Sequence, residues 1–147
     1  MNTTNTVTDH GPCPYVTDIE EITLDNTYFR VAVWTGCNLQ LTVMSIPVGD
    51  DIGCELHEDT DQFFRIEEGK GMLVTDCNNP DYQTCTKFRA GDALFVPAGT
   101  WHNVVNTGNC PLKIYTIYAP PHHPHGTVQK TKNSCPTHEN PCGCTCN

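Results

Sequence analysis

The chain has 147 residues, eight lysines and arginines against 17 aspartates and glutamates, a formal net charge of −9, and ten cysteines. This length fits a single domain, and the acidic balance argues against nucleic acid, whose binding proteins carry basic surfaces. No apolar run reaches the roughly 18 residues of a membrane span, and residues 1–9 lack the basic and apolar parts of a secretory signal. We therefore expect a soluble, cytoplasmic protein that binds neither nucleic acid nor membrane.

Short segments rich in Val, Ile, Thr, Tyr and Phe alternate with turn residues through most of the chain. This spacing is typical of a β-sandwich or barrel, and no window has the apolar periodicity of a long helix. The turn at 108–111 is expected to close a hairpin. The predicted strands are 28–34, 39–48, 54–58, 62–67, 72–76, 87–89, 93–96, 101–106 and 112–118. They predict an extended leader over 1–18, a β-barrel over 19–126 and a polar, cysteine-rich arm over 127–147.

Two blocks of residues with fixed internal spacing carry the chemistry. The first places Glu55 and His57 two residues apart, on one face of a predicted strand, and Gln62 follows on the next strand. The second makes a tight reversal before His102 and places Asn106 on the same face as His102. The residues that complete the spacing are Gly49 and Gly69 in the first block and Gly91, Pro97 and Gly99 in the second.

Both blocks resemble the two motifs of the cupin superfamily. That resemblance implies an all-β fold, an antiparallel double-sheet jelly-roll barrel with a ligand cavity. The second block matches at every fixed position, whereas the first has Glu55 where the family usually has its first His and Gln62 where it usually has Glu. The stretches 29–36, 61–69, 96–103 and 117–121 look like the small single-domain cupins described as mannose-6-phosphate-isomerase-like.

The resemblance implies a metal site, because metal-binding cupins hold a divalent ion with three His and one Glu. Carried over by position, the ligands here are Glu55, His57, Gln62 and His102. This set suits Mn, Fe, Co, Ni or Zn and does not choose among them. Gln62 is the weakest ligand: a contact through water is open for it, and Asp59 or Asp61 would replace it if their loop folded inward. The alternative is that Glu55 and Gln62 only hydrogen-bond inside a barrel without metal.

The resemblance implies a small-molecule ligand, polar and sugar-like, but it leaves three functions open. A metal-dependent isomerase or epimerase would use Glu55 as its base. A dioxygenase would need a redox-active metal, and the third function is a non-catalytic module that binds a small ligand or metal. Small cupins commonly associate through their edge strands, so we also expect a homodimer.

Three other groups of residues have weaker interpretations. Phe64 is expected in the core, and Asn106 is expected to satisfy backbone groups near its turn. The histidines of the Pro-rich segment, which are His122, His123 and His125, are assigned to a solvent loop in preference to a second metal patch.

The cysteines are expected to be reduced, because no secretory signal is visible, although a Cys77–Cys85 bridge is open. Four cysteines crowd the tail together with His138. Their spacing can hold a soft ion such as Zn or Cu(I), but an unstructured polar tail is the preferred interpretation. These tail residues are Cys135, Cys142, Cys144 and Cys146.

Overall fold

A computed structural model describes residues 8–134 of the chain. Residues 1–7 and 135–147 lie outside the described residues, and so does the prediction made for the cysteine-rich tail. Within residues 8–134 the elements are α1 (Ile19–Asp25), β1 (Arg30–Thr35), β2 (Gln40–Ile46), β3 (Asp61–Glu68), β4 (Lys70–Thr75), β5 (Thr84–Arg89), β6 (Ala93–Val96), β7 (His102–Asn106), β8 (Leu112–Ala119) and β9 (Val128–Gln129).

The strands form two antiparallel sheets, which confirms the predicted all-β jelly-roll class. One sheet has six strands in the order β6-β3-β8-β2-β1-β9, and the other has three in the order β5-β4-β7. The main core includes Phe64 and Ile66 of the first sheet and Phe88 and Val104 of the second. Burial of such side chains provides the main stabilisation of the fold.

Strand β3 shows how the sequence pattern positions one ligand candidate. Gln62, Phe64 and Ile66 are buried, while the intervening Phe63 and Arg65 are partly exposed. Alternate residues of a strand point to opposite faces, so Gln62 points inward beside Phe64. The placement of Phe64 in the core is confirmed.

The opposite face of the six-stranded sheet is covered by α1. The Asp18 side chain caps this helix by accepting a hydrogen bond from the Glu21 N–H, and Ile19 and Ile22 pack on a cluster that contains Val31 and Val43. The sheet is consequently covered on both faces at β2, all of whose residues are buried. Among residues 8–134 no helix has the length and apolar character needed to cross a membrane.

Asp9 ties the start of the described chain to the sheet. Its buried carboxylate accepts hydrogen bonds from the N–H groups of Gly11, Thr35 and Gly126, at 3.0, 2.9 and 2.8 Å respectively. The Thr35 hydroxyl donates a further bond of 2.6 Å. One side chain thus joins the N-terminal segment, β1 and the segment that follows β8.

Two of the predicted local structures are wrong. Residues 54–58 form no strand, since only an isolated bridge joins Glu55 to His102. The turn at 108–111 closes no hairpin, because β7 pairs with β4 whereas β8 pairs with β2 and β3. A turn signal identifies a reversal of the chain, but it does not say whether the next strand stays in the same sheet.

Disulfides correct the expectation of reduced cysteines. Cys54 is bonded to Cys77, with 5.9 Å between their Cα atoms, so the open Cys77–Cys85 bridge is wrong. Cys13 and Cys37 are also disulfide-bonded, whereas Cys85 and Cys110 are free thiols. The bond between Cys54 and Cys77 holds the residue before Glu55 next to the end of β4.

Candidate metal centre

The four predicted ligands come from three separate parts of the fold. Glu55 and His57 lie in the segment between β2 and β3, Gln62 is in β3, and His102 begins β7. Glu55 and His102 exchange two backbone hydrogen bonds of 2.9 Å, N–H to carbonyl in each direction. This reciprocal pair attaches the irregular segment to the three-stranded sheet and brings their side chains together.

His102 turns its Nε2 toward the cluster. Its Nδ1 lies 2.8 Å from the Thr100 carbonyl oxygen; because a carbonyl can only accept, Nδ1 carries the hydrogen, and a neutral ring then has its lone pair on Nε2. That Nε2 lies 3.1 Å from Gln62 Oε1 and 3.5 Å from Glu55 Oε1. Such an orienting bond on the far nitrogen is typical of metal-binding histidines.

The Gln62 amide is oriented by a neighbour on β8. Its Nε2 donates a hydrogen bond of 3.0 Å to Thr116 Oγ1, which turns Oε1 toward His102. The side chain is buried, so its oxygen faces the cluster and not solvent. The orientation supports the predicted participation of Gln62.

Glu55 supplies the negative charge of the cluster. Burial opposes its ionisation, but hydrogen bonds from His102 and His57 outweigh this effect and lower the pKa of Glu55 to about 2. Its Oε1 lies 3.2 Å from His57 Nε2. The other ring nitrogen of His57, Nδ1, is buried without a hydrogen-bond partner.

The spacing of these atoms fits a divalent ion. Ligand atoms about 2.1 Å from a metal stand roughly 3.0–3.4 Å apart in octahedral or tetrahedral geometry, close to the 3.1, 3.2 and 3.5 Å measured here. Ligand atoms of Glu55, His57 and His102 all lie within 4.8 Å of one another. Asp59 and Asp61 are exposed, and Asp61 accepts a hydrogen bond from the Ala98 N–H. The residues present therefore fit a mononuclear metal.

The remaining motif residue has the structural role expected for it. Asn106 Nδ2 donates to the carbonyl oxygens of Ile46 and Cys110, at 3.0 and 2.9 Å. Its Oδ1 accepts a hydrogen bond from the Gly108 N–H. His102 begins β7 and Asn106 ends it. Asn106 thus holds the loop that leaves β7 for the other sheet.

His122 is the residue at this site that the sequence analysis missed. Its ring centroid lies 4.1 Å from that of His57 and 5.7 Å from that of Tyr118. The loop is held there because Gln40 Oε1 accepts hydrogen bonds from the His122 and His123 N–H groups. His122 lies in a solvent-exposed loop, as expected, and its ring also packs on that of His57. The available signal was its position just after β8, which carries Tyr118 beside Gln62.

The two neighbouring histidines are committed elsewhere. His123 Nε2 lies 3.2 Å from the Tyr118 hydroxyl, and burial, with the positive charge of Arg30, lowers the pKa of His123 to about 3. His125 Nε2 donates to the Gly11 carbonyl oxygen at 2.6 Å. In the part of the chain that the structure describes, the three histidines form no separate metal cluster.

The chain thus has a double-sheet jelly roll in which imidazole and carboxylate groups converge between the sheets. This arrangement is typical of metal-binding jelly-roll proteins. The chain matches the family model for the cupin domain over residues 42–118, which contain all four ligand candidates. The protein belongs to the cupin family.

Relatives support this assignment over most of the chain. Protein YrkC of Bacillus subtilis (strain 168) is 50% identical over 124 residues, 84% of this chain and 67% of that protein. The crystal structure of BH2720 from Bacillus halodurans matches with a TM-score of 0.82 and 55% identity, covering 86% of this chain and 96% of that chain. KdgF from Halomonas sp. shares the fold, with a TM-score of 0.55 and 19% identity over 63% of this chain and 78% of that one.

Proposed function

We propose that this cupin holds one divalent transition metal through Glu55, His57, Gln62 and His102. The observation that carries the proposal is the convergence of nitrogen and oxygen atoms on one point. His102 Nε2 lies 3.1 Å from Gln62 Oε1 and 3.5 Å from Glu55 Oε1, and His57 Nε2 lies 3.2 Å from the same Glu55 oxygen. In a neutral ring each of these nitrogens can offer a lone pair, so one metal ion can bind all of these atoms together.

The metal would act on a small polar molecule as a Lewis acid that polarises a carbonyl or hydroxyl oxygen. The protein residues then have separate tasks. Thr100 and Thr116 orient His102 and Gln62, and Phe64 provides the apolar wall behind them, since its ring centroid lies 6.2 Å from that of His102. His122 covers the His57 side of the cluster, where it can hydrogen-bond a bound ligand.

We propose further that the reaction is an isomerisation or epimerisation of a sugar-like molecule, with Glu55 as the base. The mannose-6-phosphate-isomerase-like resemblance supports this choice over a dioxygenase and over a non-catalytic module. Proton transfer would require Glu55 Oε1 to leave its contacts with His57 and His102, because both contacts stabilise the ionised carboxylate.

Metal analysis of the purified protein, followed by assays with aldoses, ketoses and their phosphates, tests both proposals. We expect one divalent ion per chain, and incorporation of solvent deuterium into the substrate carbon that is deprotonated. Glu55→Gln should weaken metal binding and abolish deuterium incorporation, whereas Glu58→Gln changes an exposed glutamate three residues away and should preserve both. A chain that binds no divalent metal would contradict the metal site, and binding without deuterium incorporation would contradict the isomerase alone.

A further inference from the structure

A second cavity lies away from the metal centre, on the three-stranded sheet. It has a volume of about 510 Å³, and its lining includes Lys70, Met72, Lys87, Arg89 and Asp92. This volume is in the range that small ligands occupy in proteins. Lys70 begins β4, whereas His102 pairs with Thr75 at the other end of that strand. Five residues of extended chain, roughly 17 Å, separate the two positions along β4.

The cavity is built around cations that face one another across two strands. Lys70 is in register with Arg89, and Met72 is in register with Lys87, so all four share one face of the sheet. Residues in register have Cβ atoms about 4.5–5.5 Å apart, and like charges placed there destabilise the sheet. Within residues 8–134 none of the three cations forms an ion pair.

The other cations of the chain are engaged by neighbouring groups. The chain has eight lysines and arginines, and within residues 8–134 only Arg65 and Lys132 form ion pairs with carboxylates. The five cations outside the cavity contact other groups. Arg30 contacts Gln129, Arg65 contacts Glu67, and Lys113 contacts the Asn26 carbonyl oxygen. Lys130 lies over the Tyr28 ring, and Lys132 contacts Asp50 and Asp51. Three of the eight cations of this acidic protein therefore lie together at one cavity.

We propose that this cavity binds a small molecule that carries a phosphate group. Three cations and Asp92 leave a local charge of +2, which balances a phosphate monoester of about −1.5 to −2 at neutral pH. The Arg89 guanidinium and two ammonium groups can donate several charge-assisted hydrogen bonds to a tetrahedral oxyanion. The Asp92 carboxylate already accepts a hydrogen bond of 2.9 Å from the Arg89 backbone N–H. Met72 adds an apolar surface for the organic part of the ligand.

Calorimetric titration of the metal-free protein at low ionic strength tests the proposal without involving the metal centre. Inorganic phosphate and phenyl phosphate are the probes, and we expect phenyl phosphate to bind more tightly because of Met72. Removal of two charges in Lys87→Gln/Arg89→Gln should weaken both probes at least about tenfold. Lys130→Gln removes one charge outside the cavity and should leave both affinities unchanged.

Thermal unfolding of Arg89→Gln and of Lys87→Gln/Arg89→Gln provides the second measurement and shows whether each variant is folded. Without phosphate, the melting temperature of Arg89→Gln should equal or exceed that of the parent, since the like-charge contact with Lys70 is relieved. Added phenyl phosphate should raise the melting temperature of the parent more than that of Arg89→Gln. Equal increases in both proteins, or no binding to the parent, would overturn the proposal. A third result would also overturn the proposal. If the parent binds no phosphate and the double variant differs from it in mass by light scattering, the cations contact a second copy of the chain.

Discussion

The placement of one carboxylate distinguishes this cupin at the level of single residues. The usual set of three neutral His and one Glu carries a charge of −1, and two neutral His, one Glu and one Gln carry the same charge. In this chain the carboxylate has moved to Glu55, and a neutral amide occupies position 62. The total charge of the proposed ligand set is therefore preserved, while its direction within the cavity changes.

Glu55→Gln should weaken metal binding by more than about a hundredfold, because it removes the only charge of the proposed ligand set. Gln62→Ala should weaken it much less, since a neutral amide oxygen is lost. Gln62→Glu should retain the metal but lower its Lewis acidity, because a second carboxylate neutralises the ion. Titration with Mn or Zn measures all three variants. Unchanged affinity in Glu55→Gln would mean that this carboxylate is not a ligand.

His122 should matter for ligands of the metal but not for the metal itself. It packs on His57, yet it does not belong to the group of converging ligand atoms. We expect His122→Phe to bind Zn within about twofold of the parent, whereas His57→Ala should lose most of its affinity. An equal loss in both variants would identify His122 as a ligand.

At the level of secondary-structure elements, the segment between β2 and β3 depends on links outside the sheets. Glu55 is in this segment, which has no strand of its own and is held by the Cys54–Cys77 disulfide and the backbone pair with His102. Irregular segments of this kind open more readily than paired strands. The position of Glu55 in the candidate metal centre consequently depends on cross-links as well as on the sheet.

Cys54→Ser/Cys77→Ser should lower the free energy of unfolding by about 3 kcal/mol, the value expected for a loop closed across 23 residues. The effect on metal affinity should be in the same direction, because Glu55 follows Cys54. Denaturant unfolding measures the first effect and titration with Zn the second. Cys85→Ser is the matched control, since Cys85 is an exposed free thiol. Equal stability of the two variants would contradict the expectation.

The stability that Asp51 contributes, near the start of the segment between β2 and β3, should depend on pH. Burial opposes ionisation of Asp51, but its hydrogen bonds with Lys132 and Asn103 prevail, so the pKa of Asp51 is lowered from 3.8. A lowered carboxyl pKa stabilises the fold above the unfolded value, and this contribution disappears as the pH falls through the folded value. Asp51→Asn should therefore destabilise the protein at pH 6 and have little effect well below pH 3.8. A destabilisation independent of pH would show that charge is not the cause.

At the level of the whole molecule, one edge of the six-stranded sheet is suited to association. The edge strand β6 exposes 74% of Phe95, whose ring lies 5.1 Å from that of Phe63. The homodimer remains a prediction, and β6 is where we expect the two copies to meet.

Phe95→Lys should convert a dimer into a monomer in light scattering at micromolar concentration, because it places a charge at the centre of the expected contact. Tyr82→Lys is the matched control, since Tyr82 is 72% exposed in the loop between β4 and β5. A parent protein that is itself monomeric, or a Phe95→Lys variant that remains dimeric, would contradict this interface.

The sequence predicts a structural feature of this protein well when the feature depends on residues that are adjacent in the chain. Turn residues and alternating side chains predict the strands and the inward direction of Gln62, because both depend on adjacent residues. The Cys54–Cys77 bond and the contact of His122 with His57 were not predicted, since each joins segments that meet only in three dimensions. The strand expected at 54–58 failed because its neighbours offer it a single bridge, and sequence pattern carries no information on available partners.

The buried carboxylate of Asp9 has a consequence for how binding experiments are prepared. It anchors Gly126, in the same loop as His122, to β1. Shortening the chain past residue 9 would leave three backbone N–H groups without their acceptor and would loosen the cover of the metal centre. Deuterium uptake at residues 120–126 should then rise, and small ligands should enter and leave faster. Measurements of ligand kinetics thus require protein in which the N-terminal segment is intact.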